Sequence, residues 1–275
     1  MEKLHEIALA ITFRMKTPDF YGGFHLAWIF LTLFSCVAAV AFVRKDLPDG
    51  EEKRLRAVYG VSSLVLWIGE GYKQFVYTFS ALPVRYSWYS FPFQFCSTPL
   101  YVFPLAFFVR KGKLFDGLTA YSATYSLLAG LLVVLFPGGV FGTNGGINVQ
   151  SMLHHAVMTA AGAACACRLS RYRADRQKRS LFRAAGTFAC LFAAAQVMNL
   201  ALPALTGQTI NMFFTSPYVT ANLPVLKPLK EALPYPVFLC GYFAVFTLGA
   251  FLFFLMERTL FRPWRKKRAA RSQNG

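Results

Sequence analysis

Seven apolar runs, each long enough to cross a bilayer, occupy most of this chain and restrict it to one architectural class. They fall at about 20–43, 56–79, 91–109, 115–137, 151–168, 182–204 and 235–257; a spanning helix requires roughly 17–25 residues. In hydrocarbon every backbone N–H and C=O has to be satisfied within the segment, so such runs fold as helices. Of the 275 residues 56% are apolar and only 15% charged, too greasy a balance for a soluble domain of this length. The expected fold is an all-α polytopic membrane bundle of about seven transmembrane helices. The fifth run is the weakest, rich in Ala and Gly and interrupted by His154 and His155.

A net charge of +17 raises the question of nucleic acid, but its placement argues against it. Four blocks, Arg44 to Arg56, Arg110 to Lys113, Arg168 to Arg183 and Arg258 to Arg271, hold 5, 3, 7 and 7 of the 29 Lys and Arg residues. These blocks follow alternate helices, and the opposite gaps hold only Lys3, Arg14, Lys16, Arg85, Lys227 and Lys230. The positive-inside rule then gives an extracytoplasmic N terminus and a cytoplasmic C terminus. The basic tail reads as a topology determinant that also meets anionic headgroups, rather than as a nucleic-acid surface.

Residues 1–19 lack the apolar core of a cleavable signal peptide. Leu4, Ile7, Ala8 and Ile11 recur at helical spacing, so Met1 to Thr17 reads as a short amphipathic helix, lying on the outer surface or tucked in as a cap. The organisation is a segment 1–19, a single transmembrane domain 20–257 without internal repeat or linker, and a basic cytoplasmic tail 258–275. Among the outward loops, 80–90 is aromatic, 138–150 is Gly/Asn-rich, and 205–234 is long and proline-punctuated. A loop of that length suggests a lid or a binding segment.

Ionisable and amide side chains inside spanning segments are functional candidates, because burying them is costly. At about 1.5 Å per residue from the outer helix ends, His25, Cys96, His155 and Asn199 lie roughly 6–8 Å deep, Lys73 roughly 9 Å, and Gln196 and Glu70 roughly 12–14 Å. The inner half holds little beyond hydroxyls and thiols, which predicts a cavity open to the outer leaflet or the outside. Glu70 and Lys73 share a helix face and can pair, as a packing device or as part of a site. His154 and His155 point about 100° apart on a helix turning 3.6 residues per turn, so one is expected to face the interior. No HxxxH or HxxE spacing supports a metal, and none is expected.

Six cysteines show neither metal spacing nor a disulfide framework, and most read as small apolar packing residues. Cys96 differs, because Pro92 and Pro99 bracket the start of its helix. A thiol in the first turns meets the positive end of the helix dipole, and a nearby imidazole would favour thiolate further. That is the setting of a cysteine nucleophile with a histidine base. A core cysteine, or one bonded to Cys240 at similar depth, is the competing reading.

The run Glu70-Gly-Tyr-Lys73, the Gln94-Phe-Cys96 opening of the third helix, Leu153-His-His155, and Gly207-Gln-Thr-Ile-Asn211-Met212 followed by Pro217 resemble the YwaF family of bacterial membrane proteins. That family is similar to the animal transmembrane protein 164 acyltransferases. The resemblance spans roughly residues 20–257 and implies seven helices, a bacterial plasma-membrane location, and acyl transfer from a phospholipid to a lysophospholipid without coenzyme A or any other cofactor. It implies Cys96 as nucleophile and His155 as base, with Glu70, Lys73 and Asn211 in support. Two departures stand out: a histidine pair replaces a single histidine, so His154 is the alternative base, and Ile210 stands where an aromatic residue is usual.

The partners are then membrane phospholipid and lysophospholipid within the bilayer, with Gln94 or backbone N–H groups offered for the oxyanion and Asn199 and His25 as further lining. A hydrolase would use the same machinery. A proton-linked transporter or non-catalytic lipid-binding protein is the other class of reading; it predicts a polar path through both halves of the membrane.

Overall fold

The computed structural model describes residues 1–44, 48–220 and 226–260. These form α1 (Glu2–Ala10), α2 (Gly23–Arg44), α3 (Pro48–Phe79), α4 (Pro99–Val109), α5 (Gly112–Tyr121), α6 (Leu127–Leu135), α7 (Gly145–Leu169), α8 (Ala174–Thr206), α9 (Leu226–Ala232) and α10 (Tyr235–Leu260). The fold is all-α; β pairing among the described residues amounts to an isolated bridge between Arg14 and Asn144. Four helices, Gly23–Arg44, Gly112–Leu135 (α5 and α6 run together), Ala174–Thr206 and Tyr235–Thr259, are long and apolar enough to cross a membrane. The chain is a multi-pass membrane protein.

Helices α3 and α7 have the length to span but a lower apolarity, and for α7 the packing explains why. It is enclosed by α2, α3, α6 and the turn between α5 and α6, and most of its residues are buried on every face. A helix that seldom meets lipid needs small residues for close approach rather than a greasy exterior. At Gly162 the approach is close, since a Cβ there would press on Leu127 and the Ser122 carbonyl. By contrast, α2, α8 and α10 turn Phe34, Phe182, Leu205 and Val245 outward.

Between α5 and α6 lies a single π turn, Ser122–Ser126, wholly buried. Its cause is legible in the run Tyr121-Ser-Ala-Thr-Tyr-Ser126. Ser122 Oγ and Thr124 Oγ1 donate back to the carbonyls of Leu118 and Ala120 at 2.8 and 2.7 Å, a competition that loosens the α ladder.

Two expected elements are shorter than the sequence suggests. The helix expected over 91–109 begins only at Pro99, where a missing N–H costs nothing at the first helical position, and a 3₁₀ turn, Phe95–Ser97, precedes it. The N-terminal helix stops at Ala10 instead of reaching Thr17, because Phe13 and Met15 leave it to pair with the approach to α7: Gly145 N–H donates to Phe13 O at 2.8 Å and Met15 N–H to Thr143 O at 3.0 Å. Helix α1 buries Ala8, and His5 Nδ1 donates to Phe79 O at 2.7 Å. It packs on α3 while Leu4, Ile7, Leu9 and Ile11 stay exposed. Of the basic tail, residues 261–275 lie outside the described residues.

Ion pairs gather at the opposite end of the bundle, here termed the basic end. Glu51 Oε2 meets Arg168 at 3.0 Å and Arg171 at 2.9 Å, while Asp116 takes a bidentate pair from Arg176 at 2.8 and 2.7 Å and the Tyr172 hydroxyl at 2.9 Å. Burial and the Asp116 carboxylate push the Tyr172 hydroxyl well above its usual range. Near this end Cys165 Sγ contacts Tyr59 OH at 3.1 Å, and Glu257 is 4% exposed. The expectation that this half holds little beyond hydroxyls and thiols is therefore corrected: it buries carboxylates too.

Candidate active site

Helix α3 supplies the charged members. Lys73 Nζ lies 2.8 Å from Glu70 Oε1, and Gln74 Nε2 donates to the same oxygen at 2.6 Å. Gln74 Nε2 also donates to Ser90 O at 2.7 Å, which ties α3 to the 3₁₀ turn Trp88–Ser90 on the approach to Cys96. Glu70 is 3% exposed, so cation and amide together satisfy a carboxylate that hydrocarbon alone would not tolerate.

Cys96 is partly exposed, in the 3₁₀ turn ahead of α4 rather than within the helix. Its backbone carbonyl accepts from His154 Nε2 at 3.0 Å. A carbonyl only accepts, so that nitrogen carries the ring proton. His155 Nδ1 likewise donates to Ser151 O at 2.6 Å, which leaves Nε2 as the lone-pair nitrogen, buried and without a hydrogen-bond partner. The two rings stand 5.3 Å apart. Both are buried, at 7% and 4% exposure, so the expectation that one alone faces the interior is corrected; α7 is enclosed on all sides.

The thiol makes no hydrogen bond to an imidazole among the described residues. Its electrostatic neighbours are Lys73 and Glu70, together with the hydroxyls of Tyr121 and Tyr242. Tyr121 OH is itself held 2.8 Å from Thr98 Oγ1. Neither tyrosine was a sequence candidate. For Tyr121 a signal existed, the dense hydroxyl run it opens within an apolar segment; Tyr242 carried none.

The segment Gly207–Ser216, expected as part of an outer lid, folds into the bundle instead. Ile210, Met212, Phe213 and Thr215 are fully buried, with the Phe213 ring among Phe93, Phe95, Phe188 and Phe192. Phe213 and Phe214 have φ of 55° and 58°, a left-handed conformation that costs a bulky residue on the order of 1–2 kcal/mol and persists only where surroundings impose it. Asn199 imposes it in part: its Oδ1 accepts from Met212 N at 2.6 Å and its Nδ2 donates to Met212 O at 3.0 Å. Gln94 Nε2 donates to Asn211 O at 2.8 Å, while Gln94 Oε1 is buried without a partner. Asn211 Oδ1 accepts from Ser216 N at 3.0 Å.

His25 takes no part in these bonds. Its Nδ1 accepts from Tyr21 N at 2.9 Å and its Nε2 donates to Val134 O at 2.7 Å, so both nitrogens are engaged, one at the start of α2 and one in joining α2 to α6. All six cysteines are free thiols, which overturns the Cys96–Cys240 alternative. Among the described residues no group of His, Cys, Asp and Glu is placed to hold a metal ion.

The arrangement thus brings the thiol of the partly exposed Cys96, a lone-pair imidazole and a charged pair to the neighbourhood of a buried loop. Compared with known proteins, the chain matches the model of the TMEM164 family over residues 20–256. No curated protein and no solved structure matches it.

Proposed function

The chain belongs to the TMEM164 family, and from that premise we propose that it is a membrane-embedded lipid acyltransferase acting through Cys96. The bundle would cross the membrane seven times, with α4 and the long helices α3 and α7 added to the four apolar spans, the N terminus outside and the basic end cytoplasmic. The single observation that carries the reading is the division of labour in the histidine pair: His154 holds the Cys96 backbone, and His155 presents an uncommitted Nε2.

His155 Nε2 takes the Cys96 thiol proton as the sulfur attacks the carbonyl carbon of a phospholipid ester. The tetrahedral intermediate collapses by breaking the C–O bond, and the imidazolium returns the proton to the departing lysophospholipid alkoxide. A lysophospholipid acceptor then gives its hydroxyl proton to His155, attacks the thioester carbonyl, and leaves the thiol reprotonated. Apo hydrogen bonds of this kind are often long and tighten on binding, which fits a thiol not yet bonded to the ring. In this reading Gln94, with its amide tied to Asn211 O, and Tyr121 support the site. Water in place of the acceptor would make the same machinery a hydrolase.

The test is transfer between labelled phospholipid and lysophospholipid by the purified protein. Cys96→Ala is expected to fall to background and His155→Ala by about 10²–10⁴-fold, the usual contribution of general acid–base catalysis. Wild-type rates in both variants would show the Cys/His mechanism to be wrong. A proton-linked transport role is the second reading, favoured by one observation: the basic half buries Glu257.

A further inference from the structure

Glu257 lies on α10 and is 4% exposed, and its Oε1 has no hydrogen-bond partner among the described residues. Arg168 and Arg171 are engaged by Glu51, and Arg176 by Asp116. Among the described residues the titratable group that interacts with it is the Cys165 thiol on α7, itself in contact with Tyr59 OH at 3.1 Å. Among the described residues the other buried carboxylates, Glu51, Glu70 and Asp116, each have a cation within 3.0 Å. A carboxylate without one is too costly at this depth, and the group avoids the cost by keeping a proton.

We propose that Glu257 is a proton-binding site, held as a neutral carboxylic acid at the basic end of the bundle. It is separate from the chemistry assigned to Cys96. Tyr242, on the same helix, is an electrostatic neighbour of the Cys96 thiol, and Glu257 follows about four turns later, about 22 Å at 1.5 Å per residue. Intramembrane carboxyl groups of this sort serve proton relays and protonation-coupled movements, so the ligand class is the proton, delivered from the cytoplasmic face.

Hydrophobic carbodiimides test this directly, since they modify protonated carboxyl groups in apolar surroundings. The acid proton passes to one carbodiimide nitrogen while the carboxyl oxygen bonds the central carbon. The resulting O-acylisourea rearranges by an oxygen-to-nitrogen acyl shift to a stable N-acylurea, and nothing leaves. Wild-type protein in membranes is treated with dicyclohexylcarbodiimide at neutral pH, and its peptides are analysed by mass. Label concentrated on Glu257, absent from Glu51, Glu70 and Asp116, and lost in Glu257→Gln is expected. Gln reproduces the shape of the neutral acid, so that variant is expected to fold. An unlabelled Glu257, as when a basic side chain of residues 261–275 neutralises it, overturns the proposal. So does label spread equally over all four carboxyl groups.

Discussion

His154 and His155 are neighbours in sequence, yet their nitrogens are committed to different partners, so substitutions at the two positions should be separable. His154→Gln preserves an N–H for the Cys96 carbonyl, whereas His154→Ala leaves that acceptor unpaired. Acyl transfer should therefore survive better in His154→Gln than in His154→Ala. At His155 neither Gln nor Ala supplies a base, and both should lose activity alike. Equal rescue by Gln at both positions would reverse the assignment. The Glu70–Lys73 pair gives a second residue-scale prediction. Glu70→Gln leaves a mostly buried ammonium without its carboxylate and should destabilise the protein by about 3–5 kcal/mol. The double variant Glu70→Gln with Lys73→Met should recover much of that loss, as followed by thermal unfolding in detergent. The pair was legible in sequence because spacing on one helix fixes it. The role of His25 was not, because depth says how far a ring is buried and not which carbonyl, here that of Val134, it will meet.

Elements whose shape is set by local chemistry are the ones the sequence reveals, and those set by distant partners are the ones it hides. The spans of α2, α8 and α10 are continuous apolar runs facing lipid, and they appear nearly where expected. The segment Gly207–Ser216 follows a helix as a loop would, and side chains on other elements, Gln94, Gln196, Asn199 and Tyr235 among them, hold it inside. This dependence predicts that Asn199→Ala strands the buried N–H of Met212, whose carbonyl keeps Thr215 as a donor. A buried polar group left unpaired costs about 1–3 kcal/mol, so unfolding should shift by that amount, and activity should fall as Asn211 drifts. Asn199→Asp keeps the acceptor for Met212 N and should fall between the two. The hydroxyl run marks the π turn in the sequence, but not the element it packs on, which admits it through the absence of a side chain at Gly162. Gly162→Val should overpack α7 against it, at about 1–3 kcal/mol. If Gly162→Val unfolds like wild type, the close approach is not what fixes the pair.

At the scale of the whole molecule, charge placement and packing make the same division independently. The sequence separates basic gaps from nearly neutral ones, and the structure gathers the basic gaps at one end, where Glu51 bridges Arg168 and Arg171 and Asp116 grips Arg176. The other end carries α1, the Glu70–Lys73 pair and the inserted loop, with Lys230 donating to the carbonyls of Ser216 and Val219. Burial lowers the proton affinity of that ammonium, yet the carbonyls it meets favour its charged form. The proposed orientation rests on this asymmetry, because Lys and Arg near helix ends are retained on the cytoplasmic side. Lys16 and Lys111 are exposed at opposite ends of the chain's fold. Placed one at a time in a background lacking the native cysteines, Lys16→Cys should react with a membrane-impermeant maleimide on intact cells. Lys111→Cys should react only after permeabilisation. The reverse pattern would put the thiol and histidine site on the cytoplasmic leaflet, and the lipid pool available to it would change accordingly.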